Sequence, residues 1–393
     1  MALRHLCVWV YCGLMVAGCQ SETVSAPDVH ARQVHPERQA LIRTPAVQAT
    51  AVNLPPSDRV FCLDLDGDGS DEVLGAHGSD LWAARIDRKA VKLLWKQSGK
   101  GVVHRLAIGQ IGTERTLVIA RGIGRGPNLK APLSLSVWTA RSKEPKILWS
   151  NAGVRNEPAH LSIQDLNGDG QSQVAFAHYV DKYHVATRHM NANGIGQLGE
   201  KMRMASGRIY ADINADGRVD EVISRVYGDA KGLPGDLKIN LGQGWVTVST
   251  DNGVRGLVFA HVKGAKPAVF FADGWRSNYG KEAKAQVKTL EWTPMGPKLT
   301  KVGDSPGEFT FFELWAVDID GDGFDELVAR GNRHITLFSK ADTTVWSQTK
   351  LATFEPVINV AFGLGGDGHW RTFVPGKTKT NAILAQVKPK AAQ

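Results

Sequence analysis

Alternating acidic residues give this sequence its clearest chemical signal. In the stretch DLDGDGSDEVL, which begins at Asp64, three carboxylates occupy alternate positions and a glycine follows the third. Ca²⁺ binds about six to eight hard oxygens, and carboxylates at this spacing on a tight turn converge on one point. The same pattern begins at Asp165, Asp212 and Asp318. The sequence therefore predicts four calcium-binding loops, of which we expect three or four to hold a structural ion.

Each loop offers side-chain oxygens at positions one, three, five and nine and a main-chain carbonyl at position seven. In the first loop, the predicted ligands are Asp64, Asp66, Asp68, Ser70 and Glu72. In the third and fourth loops, they are Asp212, Asn214, Asp216, Arg218 and Asp220, and Asp318, Asp320, Asp322, Phe324 and Glu326. The second loop provides Asp165, Asn167, Asp169 and Gln171. Because Gln173 replaces its closing acid, we expect this loop to bind least tightly.

Two other interpretations of these loops fit less well. An EF-hand needs a glutamate at position twelve and a helix on each side. Here the twelfth residues are Gly75, Phe176, Ile223 and Ala329, and the flanking apolar runs are typical of strands. Acidic turns without metal would hold several carboxylates in strong mutual repulsion.

The loops belong to a longer repeat. Eroded copies begin at Gly109, Ala260 and Gly363, so the repeat starts lie 45 to 58 residues apart. Each unit divides into four short strands, and such a period is typical of a β-propeller. We predict an all-β, seven-bladed β-propeller of four-stranded blades, in which an N-terminal strand at 46–54 closes the last blade. Joining the two chain ends in one blade removes two open sheet edges.

The acidic loops also resemble those of a known repeat family. The pattern DxDxDG or DxNxDG, closed by an acid at position nine and set between two strands, resembles the FG-GAP/VCBS repeats, including the propeller head of integrin α subunits. The resemblance covers residues 46–387 and is specific at the four acidic loops. It implies a seven-bladed propeller with structural calcium between the first and second strands of a blade.

The N-terminus predicts export. Arg4 and His5 precede an apolar run at 6–17 that is too short to span a bilayer and is typical of a secretory signal. The end of this run and the two residues after it, VAGC at 16–19, resemble a bacterial lipobox, which implies cleavage before Cys19 and lipidation of that cysteine; an ordinary signal is the alternative. We expect an outer-membrane lipoprotein. Its predicted segments are a signal peptide at 1–18, a flexible tether at 19–44, the propeller at 45–388 and a tail at 389–393.

The charge distribution indicates the kind of partner. The chain has 47 Lys and Arg residues against 39 Asp and Glu, a net charge of +8. Because the acids concentrate in the four loops, the remaining surface is predicted to be positive. Insertions after the second strand of blades two to five combine basic and aromatic residues, as recognition surfaces do; a solvated face of long loops is the alternative. The candidate ligand-binding residues are Arg125, Lys182, Tyr227, Trp275, Arg276 and Tyr279.

These observations favour a non-catalytic module over an enzyme. We expect a binding or scaffolding function toward an anionic glycan or a protein of an envelope complex, with no nucleic-acid partner and no catalytic residues. The alternative is a polysaccharide-active, lyase-like enzyme, which would need a Tyr, His and Arg constellation. Tyr179, His184 and Arg276 are candidates, although no motif selects them.

Overall fold

The computed structural model describes residues 54–87, 90–112, 114–122, 133–139, 146–151, 158–166, 169–181, 183–191, 194–203, 205–228, 234–275, 285–304, 311–331, 333–340, 346–353, 359–364, 370–376 and 380–384. The predicted signal peptide, Cys19, the tether and the tail lie outside these residues. All regular secondary structure in the described residues is β-strand. Within the same ranges, we find no helix with the length and hydropathy needed to cross a membrane.

The strands form seven antiparallel sheets, numbered in chain order. Sheet 1 contains β1 (Arg59–Leu63), β2 (Glu72–His77), β3 (Asp80–Asp87) and β4 (Ala90–Ser98). Sheet 2 contains β5 (Val102–Ile111), β6 (Glu114–Gly122), β7 (Leu133–Thr139) and β8 (Lys146–Asn151). Sheet 3 contains β9 (Pro158–Gln164), β10 (Gln173–Tyr179), β11 (His184–Asn191), β12 (Gly194–Leu198) and β13 (Met202–Arg203).

The remaining sheets repeat this meander. Sheet 4 contains β14 (Ala205–Ala211), β15 (Asp220–Arg225), β16 (Asp236–Asn240) and β17 (Trp245–Ser249). Sheet 5 contains β18 (Gly253–Ala260), β19 (Ala268–Trp275), β20 (Gln286–Thr293) and β21 (Gly296–Asp304). Sheet 6 contains β22 (Glu313–Val317), β23 (Glu326–Arg330), β24 (His334–Lys340) and β25 (Trp346–Thr353). Sheet 7 contains β26 (Ala361–Leu364), β27 (Trp370–Val374) and β28 (Asn381–Leu384).

The first strand of a sheet packs on both faces. β1 is buried along its whole length, whereas the outer strand β4 alternates between exposed and half-buried residues. Successive side chains of a strand point to opposite faces, so Val60 and Cys62 join the core against sheet 7 while Phe61 and Leu63 join the core against sheet 2. This two-sided burial explains why the inner strand is continuously apolar.

The hydrophobic core is divided among the interfaces between consecutive sheets. Between sheets 1 and 2, the Trp95 and Trp138 rings meet edge to face at 4.2 Å. Between sheets 5 and 6, Phe270 and Trp346 do the same at 6.1 Å. The first strands β1 and β26 also contact each other. The sheets are therefore arranged around a common axis, with their first strands innermost.

The number of complete blades differs from the prediction. Six sheets have at least four strands, whereas sheet 7 has three within the described residues. The strand expected at 46–54 to complete it is described only at Leu54, which forms an antiparallel bridge with Thr380 of the sheet 7 region. The Ser57 and Thr380 hydroxyls also lie 2.5 Å apart. Seven four-stranded blades were expected, and six are described, because most of that segment lies outside the described residues.

Candidate metal loops

The four acidic loops occupy equivalent places in the fold. Each connects the first and second strands of its sheet: β1 to β2, β9 to β10, β14 to β15, and β22 to β23. Antiparallel sheets around one axis carry all such connections on the same end, so the four loops lie on one face, here called the loop face. Local sequence and the strand order together place them there.

The loops also share one hydrogen-bond framework. In each, the first aspartate accepts a hydrogen bond from the N–H of the glycine at position six, as Asp64 does from Gly69 at 3.1 Å and Asp318 from Gly323 at 3.0 Å. The closing residue accepts from the N–H at position two; Glu326 Oε2 lies 2.8 Å from the Ile319 nitrogen. The position-six glycines adopt φ between 79° and 88°, a region that other residues enter at a cost. The loops are thus held by their own carboxylates.

Two loops gather oxygens as a calcium site requires. Ligand atoms of Asp64, Asp66 and Glu72 lie within 4.8 Å of one another, and so do those of Asp318, Asp320 and Glu326. Two oxygens that share one Ca²⁺ at about 2.3–2.6 Å can be no more than about 5 Å apart. These residues therefore fit the ion.

The other two loops fit it less closely. In the third, Asp212 accepts from Gly217 at 2.8 Å and Asp216 from Arg218 at 2.9 Å, which repeats the framework with Asn214 at position three. In the second, Asn167 lies outside the described residues, and the Gln173 amide donates a 2.5 Å hydrogen bond to the Gln171 carbonyl. That carbonyl was expected to face the ion, so the amide competes with metal.

An arginine of β3 that the sequence analysis did not identify contacts the acids of the first loop. Arg85 of β3 contacts Glu72 and Asp66, each at 2.5 Å, and Asp68 at 3.3 Å. Burial raises the pKa of Glu72, and the hydrogen bond from Arg85 opposes that rise. Arg85 is the cross-strand neighbour of Glu72, one step beyond the Val73 and Ala84 pair. The guanidinium supplies positive charge where calcium would.

The fourth loop has a different neighbour. By the same register, one step beyond the Leu327 and Phe338 pair, Ser339 faces Glu326. Burial raises the pKa of Glu326 to about 8, and the charges of Asp320, Asp318 and Asp322 add to the rise. Lys263 of sheet 5 reaches Asp322 at 2.9 Å. We therefore expect the carboxylates of this loop, of which Glu326 is buried and the others half-buried, to gain more from a divalent ion than those of the first loop.

Replacing Arg85 with serine should increase the calcium affinity of the first loop. The change copies Ser339 and removes a positive charge that competes with the ion; at about 4 Å and an effective dielectric near 20, that charge is worth up to about 4 kcal/mol. We expect the dissociation constant to fall by at least about tenfold, as measured by isothermal titration calorimetry. Lys92→Ser is the matched control, because Lys92 is the exposed residue of β4 that pairs with Arg85. An R85S affinity equal to that of the wild type contradicts competition between Arg85 and the ion.

The raised pKa of Glu326 has a consequence for calcium-free protein. Between the ordinary pKa of 4.5 and the folded value of about 8, the folded state holds a proton that the unfolded state has lost. Stability in calcium-free buffer should therefore fall as the pH rises through this window. Melting temperatures measured across the window test this, and Glu326→Gln should flatten the slope. An equally steep slope in that variant contradicts the prediction.

No family model matches the chain, and no curated protein matches it. The chain is similar to a solved structure described as "Crystal Structure of Mitotic Checkpoint Complex", with 12% identity and a TM-score of 0.52 over 94% of this chain and 98% of that one. It is also similar to "BBS1N in complex with ARL6DN", with 10% identity and a TM-score of 0.52 over 88% and 100%. The fold is a β-propeller. At these identities, the likeness shows the propeller fold alone.

Two of the acidic loops also form a reciprocal pair of hydrogen bonds with the preceding blade, here called a clasp. The Asp71 N–H donates to the Leu364 carbonyl at 2.7 Å, and the Leu364 N–H donates to the Asp71 carboxylate at 2.9 Å. Asp325 forms the same reciprocal pair with His261, at 2.8 and 2.9 Å. Both aspartates stand at position eight. The sequence shows both aspartates, in DGSDE and DGFDE. It does not show their hydrogen-bond partners, because these lie on other blades.

Removing either clasp should destabilise the propeller. Asp71→Ala or Asp325→Ala leaves a main-chain N–H of the neighbouring blade without its acceptor, at a cost of about 1–3 kcal/mol. Ser172→Ala changes position eight of the second loop and should cost less than about 0.5 kcal/mol. Urea unfolding measures all three. Equal losses in D325A and S172A would show that the clasp contributes nothing.

Two of the candidate recognition residues stand in the described part of the chain, at the end of the propeller opposite the loop face. Tyr227 is half-buried after β15, and Trp275 ends β19. Arg125, Lys182, Arg276 and Tyr279 lie outside the described residues. Second strands of an antiparallel meander end on the side opposite the first-to-second-strand loops. This end of the propeller, where Tyr227 and Trp275 stand, is here called the insertion face.

Proposed function

We propose that this protein is a calcium-stabilised propeller that acts as a non-catalytic binding or scaffolding module, held to the outer membrane by lipid on Cys19. The propeller fold itself is compatible with such a role. The observation that carries the calcium part is the shared loop framework. In the first loop, and separately in the fourth, three carboxylate oxygens lie within 4.8 Å of one another. The FG-GAP/VCBS repeat remains the family that best accounts for these loops.

A seven-bladed ring belongs to this proposal. The residues at 46–53 would add the fourth strand of sheet 7, next to β28, and continue the bridge that Leu54 makes with Thr380. The tether at 19–44 would then connect the lipid to the seam of the ring. Closing the last blade with both ends of the chain leaves no open sheet edge for unwanted pairing.

An anionic partner follows from the charge of the chain. The net charge is +8, while the acidic loops concentrate negative charge on the loop face. The basic and aromatic insertions predicted from the sequence would extend from the insertion face, where a glycan acid or an acidic protein surface would meet complementary charge. Two solved propellers of similar fold come from structures described as complexes, which is compatible with a protein partner for this chain.

Recovery of partners from the membrane tests the proposal. The lipidated full chain, tagged at its C-terminus, is isolated from its own membrane with a mild detergent, and a Cys19→Ala chain is treated in parallel. We expect stoichiometric envelope proteins or an acidic glycan with the wild type. Release of C19A from the membrane fraction supports the anchor. A wild-type chain that is found soluble, or that brings down neither class of partner, contradicts the function.

One cluster of described residues contains the Tyr, His and Arg that the enzymatic alternative requires. Between sheets 3 and 4, His189 Nε2 lies 3.1 Å from the Tyr210 hydroxyl, and Arg208 donates to the same hydroxyl at 3.4 Å. Arg208 also pairs with Glu221. Burial raises the pKa of Tyr210 and disfavours the phenolate that would act as a base. Tyr179 and His184, which were named from the sequence, do not belong to this cluster: Tyr179 is buried elsewhere, and His184 pairs with Asp181 at 2.9 Å. The third residue named, Arg276, lies outside the described residues.

Turnover separates the two functions. Incubation of the full chain with acidic polysaccharides, followed at the absorbance of unsaturated uronate products, should give no product under our proposal. Product formation that Tyr210→Phe abolishes would instead establish the lyase-like alternative. Retention of the polysaccharide without product supports the binding module.

A further inference from the structure

The outer strand of sheet 4, β17, is an open sheet edge. It pairs with β16 on one side, and no strand of the described residues pairs with its other side. Its sequence is WVTVS, and Val246, Thr247 and Ser249 are exposed. An open edge presents a row of main-chain N–H and C=O groups that can pair with another strand. This edge can therefore accept a further strand.

Edge protection distinguishes β17 from the other outer strands. Proteins protect open edges with lysines and with β-bulges. In β4, β8, β12, β21 and β25, the pairing with the preceding strand contains a register shift. All of these strands except β12 also carry lysine. Among the outer strands that the structure describes, β17 combines a regular register with a sequence that contains no charged residue.

The hydrogen bonds of the neighbouring residues show which main-chain groups of β17 point outward. The Thr250 N–H, directly after β17, donates to the Gly235 carbonyl on the β16 side at 3.3 Å. Successive residues of an antiparallel strand direct their main-chain groups alternately to one side and the other. The N–H and C=O groups of Trp245, Thr247 and Ser249 therefore point away from β16.

These three residues make the edge complementary to itself. In an antiparallel pair centred on Thr247, this residue lies opposite its own copy, and Trp245 lies opposite Ser249 of the second copy. Each of the three pairs exchanges two main-chain hydrogen bonds, about six in all. Because the strand carries no charge, its residues meet without the like-charge repulsion that destabilises cross-strand pairs. Such an interface is isologous and closes after two chains.

We propose that β17 is a homodimerisation edge, at which it pairs with β17 of a second copy of this chain. The two four-stranded sheets then become one continuous sheet. A second copy fits better than an unrelated strand, because the edge is symmetric about Thr247 and has no charge that would select an acidic or a basic partner. The chain's own N-terminal segment leads into Leu54 at sheet 7, on the other side of the ring from sheet 4.

The dimer should be weak. An edge of five residues is small beside the interfaces of stable complexes. Lys238 Nζ also donates to Thr247 Oγ1 at 2.7 Å, so pairing brings two like charges toward the centre of the interface. We expect a dissociation constant in about the micromolar range.

Sedimentation of the full chain in mild detergent tests the dimer. Thr247→Lys gives β17 the lysine that protects other outer strands, and it should raise the dissociation constant at least about tenfold. Thr300→Lys is the matched control, because Thr300 is an exposed residue of β21, an edge that already carries Lys298 and Lys301. A wild-type chain that stays monomeric at about 100 µM, or a T247K chain that dimerises as the wild type does, overturns the proposal.

Cysteine cross-linking tests the register. Directly opposite residues of a hydrogen-bonded pair have Cα atoms about 5.5 Å apart, which is within the range of a disulfide. Thr247→Cys should therefore cross-link to its own copy under mild oxidation, as detected on a non-reducing gel. Ser249→Cys is the matched control, because it lies about 14 Å along the strand from its own copy. The natural Cys62 is buried. Equal cross-linking of both variants, or of neither, overturns the register.

The same variant identifies any other occupant of the edge. A T247C chain that cross-links to a different protein, or to its own N-terminal segment, overturns the second copy as the occupant. The inference does not rest on the proposed function. A monomeric wild-type chain leaves that function intact, and recovery of no membrane partner leaves the dimer intact.

Discussion

Removal of calcium should lower the melting temperature of this protein steeply, and return of the ion should restore it. A ligand that binds only the folded state at a hundred times its dissociation constant adds about 2.7 kcal/mol per site. Three or four occupied loops would together contribute a large part of the stability of a propeller, because ordinary domains are stable by only about 5–15 kcal/mol. Scanning calorimetry of the full chain, with chelator and then with excess calcium, measures the effect.

Two reciprocal variants assign the effect to the loops. Glu326→Gln removes the closing carboxylate of the fourth loop and should reduce the calcium stoichiometry by one. Gln173→Glu supplies the missing carboxylate to the second loop, ends the amide contact with the Gln171 carbonyl, and should gain affinity there. Melting curves that chelator leaves unchanged contradict calcium as the stabilising ion. Equal stoichiometry in E326Q and wild type would remove the fourth loop from the set.

Gly75→Ala should be among the most destabilising substitutions in the core. A Cβ at Gly75 would lie 2.0 Å from Cζ2 of Trp82, its cross-strand neighbour. The Trp82 ring is almost fully buried, donates to the Pro56 carbonyl at 3.1 Å, and packs between sheets 7 and 1. Because the ring has no room to move, we expect a loss of about 3 kcal/mol or more, measured by urea unfolding.

Gly78→Ala is the matched control for that substitution. It lies on the following turn, where a Cβ would meet no atom within 4 Å, although its φ of +57° disfavours alanine. We expect a loss of about 1 kcal/mol from backbone strain alone. If G75A is no less stable than G78A, then Trp82 does not fill the space beside Gly75.

The chemistry of the loops could be predicted from sequence because it is local. All predicted ligands of one ion lie within nine consecutive residues, and the framework from Asp318 to Gly323 and from Glu326 to Ile319 is made inside the loop. The repeat was visible for the same reason, since each unit carries its own strands and turns. The count of complete blades was less accessible, because the fourth strand predicted for the last blade is contributed by residues 46–53, which lie outside the described residues.

Tertiary structure decided which basic side chains contact the acidic loops and which arginines lie close together near the axis of the propeller. Arg85 reaches Glu72 through the register of β2 and β3, and Lys263 reaches Asp322 only because sheets 5 and 6 are neighbours. Arg255 of sheet 5 and Arg330 of sheet 6 both lie over the Phe312 ring, at 5.5 and 4.8 Å from its centre. The sequence alone determined which oxygens each loop presents, since those groups are close along the chain. Only the ring determined where the buried arginines gather, since no local pattern encodes contact between distant strands.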